Sequence, residues 1–152
     1  MSTIDNKFQS KNFKSWNNPD LRNIPVDGKR YNSYDFMDKE WEFMWPRVWL
    51  LLGREEEIPN SGDYQMEDFG KESFLMVRQD DNSIKSFYNV CQHRGARLTF
   101  SDLGTAETFN CPYHGWKWRK DGKLIEAQDS EDFPQGDPCQ NLKLEEVKTE
   151  TF

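Results

Sequence analysis

Two short motifs, Cys91-Gln92-His93-Arg94-Gly95 and Cys111-Pro112-Tyr113-His114-Gly115-Trp116, constrain this chain more than any other feature. Written together they read C-x-H-x17-C-x2-H. The chain has two histidines, and both stand in the motifs, each within three residues of a cysteine. A lone histidine is more often a packed or surface residue than a ligand. Two histidines placed this way, with none elsewhere, point to metal binding. Each motif follows strand-like residues, Val90 and Asn110, so each is expected on a loop at a strand end. There a rigid sheet can hold Cys and His from distant parts of the chain on one centre.

The rest of the pattern predicts strands to carry such loops. Val48–Leu52, Asp63–Phe69, Ser73–Arg78, Ile84–Val90, Thr105–Asn110, Trp116–Arg119, Leu124–Ala127 and Leu142–Val147 read as strands. Gly70, the Asp80-Asp81-Asn82 run and Asp121-Gly122 supply turns between them. One helix stands out. Ser33 is its N-cap, Met37, Trp41, Met44 and Trp45 recur at helical spacing, and Pro46 ends it. Residues 1–23 read as a flexible arm, polar and without hydrophobic periodicity. The fold class expected is all-β: antiparallel sheets with two cluster-binding loops, plus one N-terminal helix.

The ligand types narrow the metal. Cys₂His₂ is a legitimate zinc set, but zinc fingers usually open with C-x2–4-C and close with H-x3–5-H, whereas each loop here mixes the two types. A Rieske-type [2Fe–2S] centre needs two thiolates on one iron and two imidazoles on the other. A Cys and a His from each loop, Cys91 with His93 and Cys111 with His114, supply that set. Gly95 and Gly115 are expected to let backbone N–H groups approach the sulfides, and Pro112 to stiffen the second loop. Trp116 and Trp118 read as packing over the centre. Arg94 and Arg97 fit either a charged rim or plain solvent exposure. Cys139, with no histidine nearby, reads as a spectator.

The two motifs resemble the cluster loops of Rieske non-haem iron oxygenases, in the large (alpha) subunit of aromatic-ring-hydroxylating enzymes. The likeness extends to Ile24-Pro25-Val26, the helix with Trp41 and Trp45, Arg54-Glu55-Glu56-Glu57-Ile58-Pro59, Gly62-Asp63-Tyr64 and Tyr88-Asn89-Val90, over residues 24–152. The resemblance implies that Cys91 and Cys111 bind one iron and His93 and His114 the other. It implies a domain that relays electrons from a reductase or ferredoxin to a mononuclear Fe(II) in a separate catalytic domain. It also implies an oxidoreductase acting with O₂ in aromatic catabolism, assembled as a trimer of large subunits. Residues 24–152 are expected to form the Rieske domain, stopping before its final strand and the catalytic domain, so that this chain alone transfers electrons only. A free-standing Rieske ferredoxin is the alternative reading, and a zinc-bound interaction module a remoter one. Cytochrome bc-type Rieske proteins carry an extra, disulfide-bonded Cys in each loop. Here Ala96 and Tyr113 stand at those places, which implies an unbraced, lower-potential cluster.

Charge and hydropathy bound the partners. The formal charge of −7 repels phosphate backbones and anionic lipid, so nucleic acid and membrane surfaces are poor partners. The longest aliphatic stretch, at Val48–Leu52, is far too short for a membrane span. No secretory leader pattern is visible, and three cysteines fit metal binding in a reducing compartment better than disulfides. A cytoplasmic location is expected. Six Trp, five Tyr and eleven Phe allow a modest core built from few large rings.

Overall fold

Seven of the expected strand regions contain strand, arranged in two antiparallel sheets. In the computed structural model of the protein the described residues are 28–152. The expected arm at 1–23 and the Ile24-Pro25-Val26 stretch lie outside the described residues. The described residues fall into two units, 28–50 and 51–152.

In the first unit, helix α1 spans Tyr34–Phe43. Ser33 caps it, its hydroxyl accepting from the Phe36 N–H at 3.3 Å. Its C-terminus falls at Met44, and a short 3₁₀ turn follows over Trp45–Arg47 with Pro46 inside it. Proline has no N–H to continue an α-helical ladder, which accounts for the stop.

The second unit holds all eight strands found among the described residues. β1 (Asp63–Phe69), β2 (Glu72–Arg78), β3 (Ile84–Tyr88), β4 (Leu103–Thr105) and β8 (Glu146–Val147) form a five-stranded sheet in the order β4-β1-β2-β3-β8. β5 (Thr108–Asn110), β6 (Lys117–Arg119) and β7 (Leu124–Glu126) form a three-stranded sheet. The central strand β2 is buried continuously from Phe74 to Arg78, as a strand covered on both faces should be. Tyr64, Leu75, Val77 and Phe87 of the large sheet meet Phe109, Trp118 and Leu124 of the small one in a single core. Cys91 and Cys111 belong to that core.

A polar brace also ties the sheets. The Lys120 ammonium donates to Asp80 at 2.6 Å, Glu107 at 3.0 Å and Ser61 at 2.8 Å. The Gln79 amide donates to the Lys120 carbonyl at 3.0 Å. The β6–β7 turn packs so closely on the core that a Cβ at Gly122 would meet the Phe87 ring at 2.6 Å, and its φ is +87°. Only glycine satisfies both conditions.

Two expectations need correction. Val48–Leu52 is not a strand. An apolar run becomes a strand only where a ladder partner is free, and the Leu52 carbonyl is met instead by the Gln65 side chain at 3.5 Å. The stretch Thr105–Asn110 is not one strand but two. Its ends belong to β4 and β5, in different sheets. The chain changes sheets at Ala106 and Glu107, where the Ala106 N–H bonds the Gly62 carbonyl at 2.8 Å.

Candidate metal centre

The two motifs fold into loops with the same internal bonding. In the first, the Cys91 N–H donates to the Ala96 carbonyl at 2.7 Å and the Gly95 N–H to the Cys91 carbonyl at 2.9 Å. In the second, the Cys111 N–H donates to the Trp116 carbonyl at 2.8 Å and the Gly115 N–H to the Cys111 carbonyl at 2.9 Å. Each loop turns at a left-handed glycine, Gly95 at φ +74° and Gly115 at φ +70°. A Cβ built on either glycine meets no heavy atom within 4 Å. Among the protein's own atoms, then, the glycines answer to backbone conformation rather than to a close approach.

These loops bring the four expected donors together as two pairs. Cys91 and Cys111 are almost fully buried, at 1% and 4% exposure, in the same core cluster, and the Cys111 thiol helps to push that of Cys91 up. His93 and His114 are half-buried and edge-to-face, with ring centroids 4.8 Å apart. Among the described residues, no three His, Cys, Asp or Glu side chains gather round one ion. Two paired donor types are what a two-iron centre asks of a protein. A structural zinc ion asks for four donors at one point.

Burial acts on the two donor types in different ways. Burial pushes the Cys91 thiol up, opposed by the backbone N–H of His93 and the indole N–H of Trp118. Iron would override that burial, because a coordinating thiol is deprotonated outright. Burial, and then the charges of His114 and Arg94, hold His93 below its ordinary value. It is therefore neutral near pH 7, the form that binds metal.

Among the described residues two buried side-chain polar atoms close no hydrogen bond, and both are here: Nδ1 of His114 and Nε1 of Trp118. A buried polar atom without a partner costs about 1–3 kcal/mol. The His114 nitrogen is thus positioned as a ligand atom. The Trp118 N–H lies near the Cys91 sulfur without closing a full bond to it. On these observations the residues fit a [2Fe–2S] cluster.

The surroundings hold the imidazoles in place. Trp116 stacks on His93 with centroids 4.5 Å apart and planes 5° from parallel. Phe133 meets Trp116 edge-on at 5.7 Å. The exposed Tyr113 ring lies 3.9 Å from that of His114. Beside the imidazoles is a recess of about 450 Å³, lined by His93, His114, Arg94 and the loop with Asp129, Asp132 and Phe133. The sequence gives that loop no motif of its own. Its one signal was a lone Phe133 beside Pro134 in a polar stretch. Arg97 pairs with Asp68 at 2.9 Å. Cys139 is half-buried at the edge of the core, its N–H bonded to Asp137 at 2.9 Å.

Residues 48–144 match the Rieske [2Fe-2S] domain family. The chain is 38% identical over 128 residues to the chlorobenzene dioxygenase subunit alpha of Cupriavidus sp. (strain PS12), which covers 80% of this chain and 28% of that subunit. Among solved structures, naphthalene 1,2-dioxygenase with indole bound in the active site superposes with a TM-score of 0.70 at 34% identity, covering 78% of this chain and 27% of that one. The apo form of the quaternary ammonium Rieske monooxygenase CntA superposes with a TM-score of 0.75 at 28% identity, covering 83% of this chain and 36% of that one. The chain therefore spans well under half the length of each relative.

Proposed function

The chain belongs to the Rieske [2Fe-2S] domain family, and from that premise we propose that it is the electron-relay domain of a Rieske non-haem iron oxygenase large subunit. In this reading Cys91 and Cys111 hold one iron, and His93 and His114 hold the other, His114 through Nδ1. When bound, the cluster takes up and releases single electrons, at a potential raised above that of an all-cysteine cluster by its two imidazole ligands.

The protein's own part is to bind and orient. The two loops present the donors, and the inter-sheet core keeps water from the cysteine sulfurs. Trp116 fixes the plane of His93. The partly exposed histidine edges face the recess, where a redox partner can come close. The observation that carries the reading is the paired donor set together with the unpartnered Nδ1 of His114.

We assign residues 24–152 to this domain and 1–23 to an arm preceding it. The family match from residue 48 supports the greater part of that assignment. The proposed donor is a reductase or ferredoxin. The proposed acceptor is a mononuclear iron in the catalytic domain of a neighbouring large subunit, within a trimeric assembly whose oxygenase chemistry acts on an organic substrate. Among the described residues His114 has no Asp or Glu hydrogen-bond partner, which supports an acceptor carboxylate supplied from outside this chain. No helix among the described residues is long and apolar enough to cross a membrane.

The test is spectroscopic. The isolated protein should be red-brown, with two irons and two sulfides per chain. When reduced it should give a rhombic low-temperature EPR signal whose average g lies below the free-electron value. A colourless protein with stoichiometric zinc would overturn the assignment. Both histidines of the chain are used by the cluster. This chain should therefore undergo reversible one-electron redox but oxidise no substrate, even with added Fe(II). Substrate-dependent O₂ consumption coupled to product would refute that.

A further inference from the structure

The second loop closes directly onto a sheet ladder: Cys111 and Trp116 are bonded, and the next pair outward, Asn110 and Lys117, are ladder partners in β5 and β6. The first loop has no such ladder. It leaves β3 at Tyr88, and the chain that returns from Ala96 through Leu98 and Thr99 belongs to no strand. What receives its backbone is one side chain, that of Asn89, while the Tyr64 hydroxyl meets the Thr99 side chain at 3.4 Å. Asn89 is 1% exposed. Its Oδ1 accepts the N–H of Leu98 at 3.1 Å and the N–H of Thr99 at 3.2 Å. Its Nδ2 donates to the Thr99 carbonyl at 2.9 Å and to the Ser73 hydroxyl at 3.2 Å.

These four bonds use both donors and the full acceptor capacity of an asparagine amide. They also fix its orientation. A flipped amide would set its NH₂ against two backbone N–H groups. The side chain gives the returning backbone what a neighbouring strand would give, an acceptor for its N–H groups and a donor for its carbonyl. Through Ser73 it is anchored to β2, and its own N–H donates to the Ser73 carbonyl at 2.8 Å.

We propose that Asn89 is the positioning residue of the first cluster loop, its buried amide holding the Leu98–Thr99 return against the large sheet and so setting Cys91 and His93 for the cluster. The inference rests on the assignment of those two residues as ligands. Other side chains fall short for stated reasons. Aspartate accepts but does not donate when ionised, leucine does neither, and glutamine is one methylene too long for a site this tightly enclosed.

The test compares wild-type holoprotein with Asn89→Asp, Asn89→Leu and the control Ser73→Ala. The control removes one bond to Asn89 and leaves the loop's own bonds in place. Three readouts are taken: cluster loss into a chelator, the EPR line shape of the reduced protein, and amide exchange at Leu98 and Thr99. Folding is checked by circular dichroism. Both Asn89 variants should fold and lose the cluster about tenfold faster or more, the factor for one buried hydrogen bond. Their EPR lines should broaden, and Leu98 and Thr99 should exchange faster. Ser73→Ala, which keeps the three bonds from Asn89 to Leu98 and Thr99 and frees one amide proton, should speed cluster loss less than either Asn89 variant and leave exchange at Leu98 and Thr99 unchanged.

If Asn89→Leu fails to fold, Asn89→Asp decides by the same readouts. Failure of both to fold would assign Asn89 to the scaffold at large and overturn a role local to the loop. Folded variants with wild-type loss rates and line shapes would overturn the inference alone. A wild-type protein without iron would overturn the ligand assignment beneath it.

Discussion

The two ligand loops differ in what they are fastened to, not in how they turn. Each runs from a buried cysteine through a left-handed glycine to a closing backbone bond. The second then enters β6 and is held by backbone pairing on both sides. The first is held by the side chain of Asn89. Backbone pairing is available to almost any sequence, whereas side-chain fastening depends on one residue type. The same site therefore carries two different sensitivities to mutation. The loops also steady each other. His93 of the first stacks on Trp116 at the end of the second. Trp118, just beyond the second loop, brings its N–H near the Cys91 sulfur of the first.

The largest expected effect ignores the difference in fastening. Cys91→Ser and Cys111→Ser should each abolish the cluster, because in the proposed assignment each takes away one of the two thiolates of one iron. His114→Ala should do likewise by removing the buried Nδ1. Iron and sulfide analysis of the purified variants checks this. A variant of either cysteine that retains two irons per chain would mean that the loops do not contribute equally.

Next in size is a test of their internal likeness. Gly95→Ala and Gly115→Ala place a Cβ in open space but in the left-handed region. The cost is then conformational alone, about 1–2 kcal/mol each. Chemical denaturation should show two losses of similar size. Values differing by more than about 1 kcal/mol would show that one loop needs the space beside its glycine as well as the left-handed backbone.

The sequence was most legible where local chemistry decides the outcome. β1 falls on the expected Asp63–Phe69, because alternation and the Gly70 turn both mark it. Ser33 and Pro46 bracket the helix as expected, although the α-helix proper ends at Phe43 and the last turn is 3₁₀. The pairing of Cys and His in each motif made the four candidate donors legible, since no other histidine competed. What could not be read depended on neighbours distant in the chain. The sheet change at Ala106–Glu107 requires knowing that β1 and β6 lie on either side of it. Val48–Leu52 looked like a strand because its apolarity is local and its lack of a ladder partner is not. Asn89 stood out only as part of a resemblance. That its four bonds reach Ser73, Leu98 and Thr99 is a fact of tertiary structure. Likewise Phe133 reaches the site only because its loop folds back across Trp116.

A smaller effect tests the link between the loops. Trp118→Phe keeps a large ring in the core and removes the N–H near Cys91. A donor beside a cluster sulfur stabilises the more negative, reduced state. Its loss should lower the reduction potential by about 40 mV, taking one hydrogen bond at about 1 kcal/mol. Redox titration of the EPR signal measures it. A potential unchanged within about 10 mV would mean that this N–H does not act on the cluster and that the coupling runs through the stacked His93 and Trp116 alone.

The smallest effect lies in the hairpin that continues from the second loop. Asp121 accepts from Arg119 Nε at 2.9 Å and from the Lys123 N–H at 3.1 Å. The Arg119 guanidinium holds its carboxyl down from the ordinary 3.8 to about 2. A carboxylate depressed in the folded state contributes stability that is fully present above its unfolded value and lost as pH falls through its folded one. Asp121→Asn should thus be less stable than wild type at pH 7 by under about 1 kcal/mol, since half of the pair is solvent-exposed. The gap should close between about pH 4 and pH 2. Comparing variant with wild type at each pH cancels the other carboxylates. The fastening of the first loop through Asn89 has no ionisable group, so Asn89→Leu should show a deficit that does not close over the same range. If both deficits closed together in acid, the two loops would share one titrating support, and the distinction between a backbone-paired and a side-chain-fastened loop would fail.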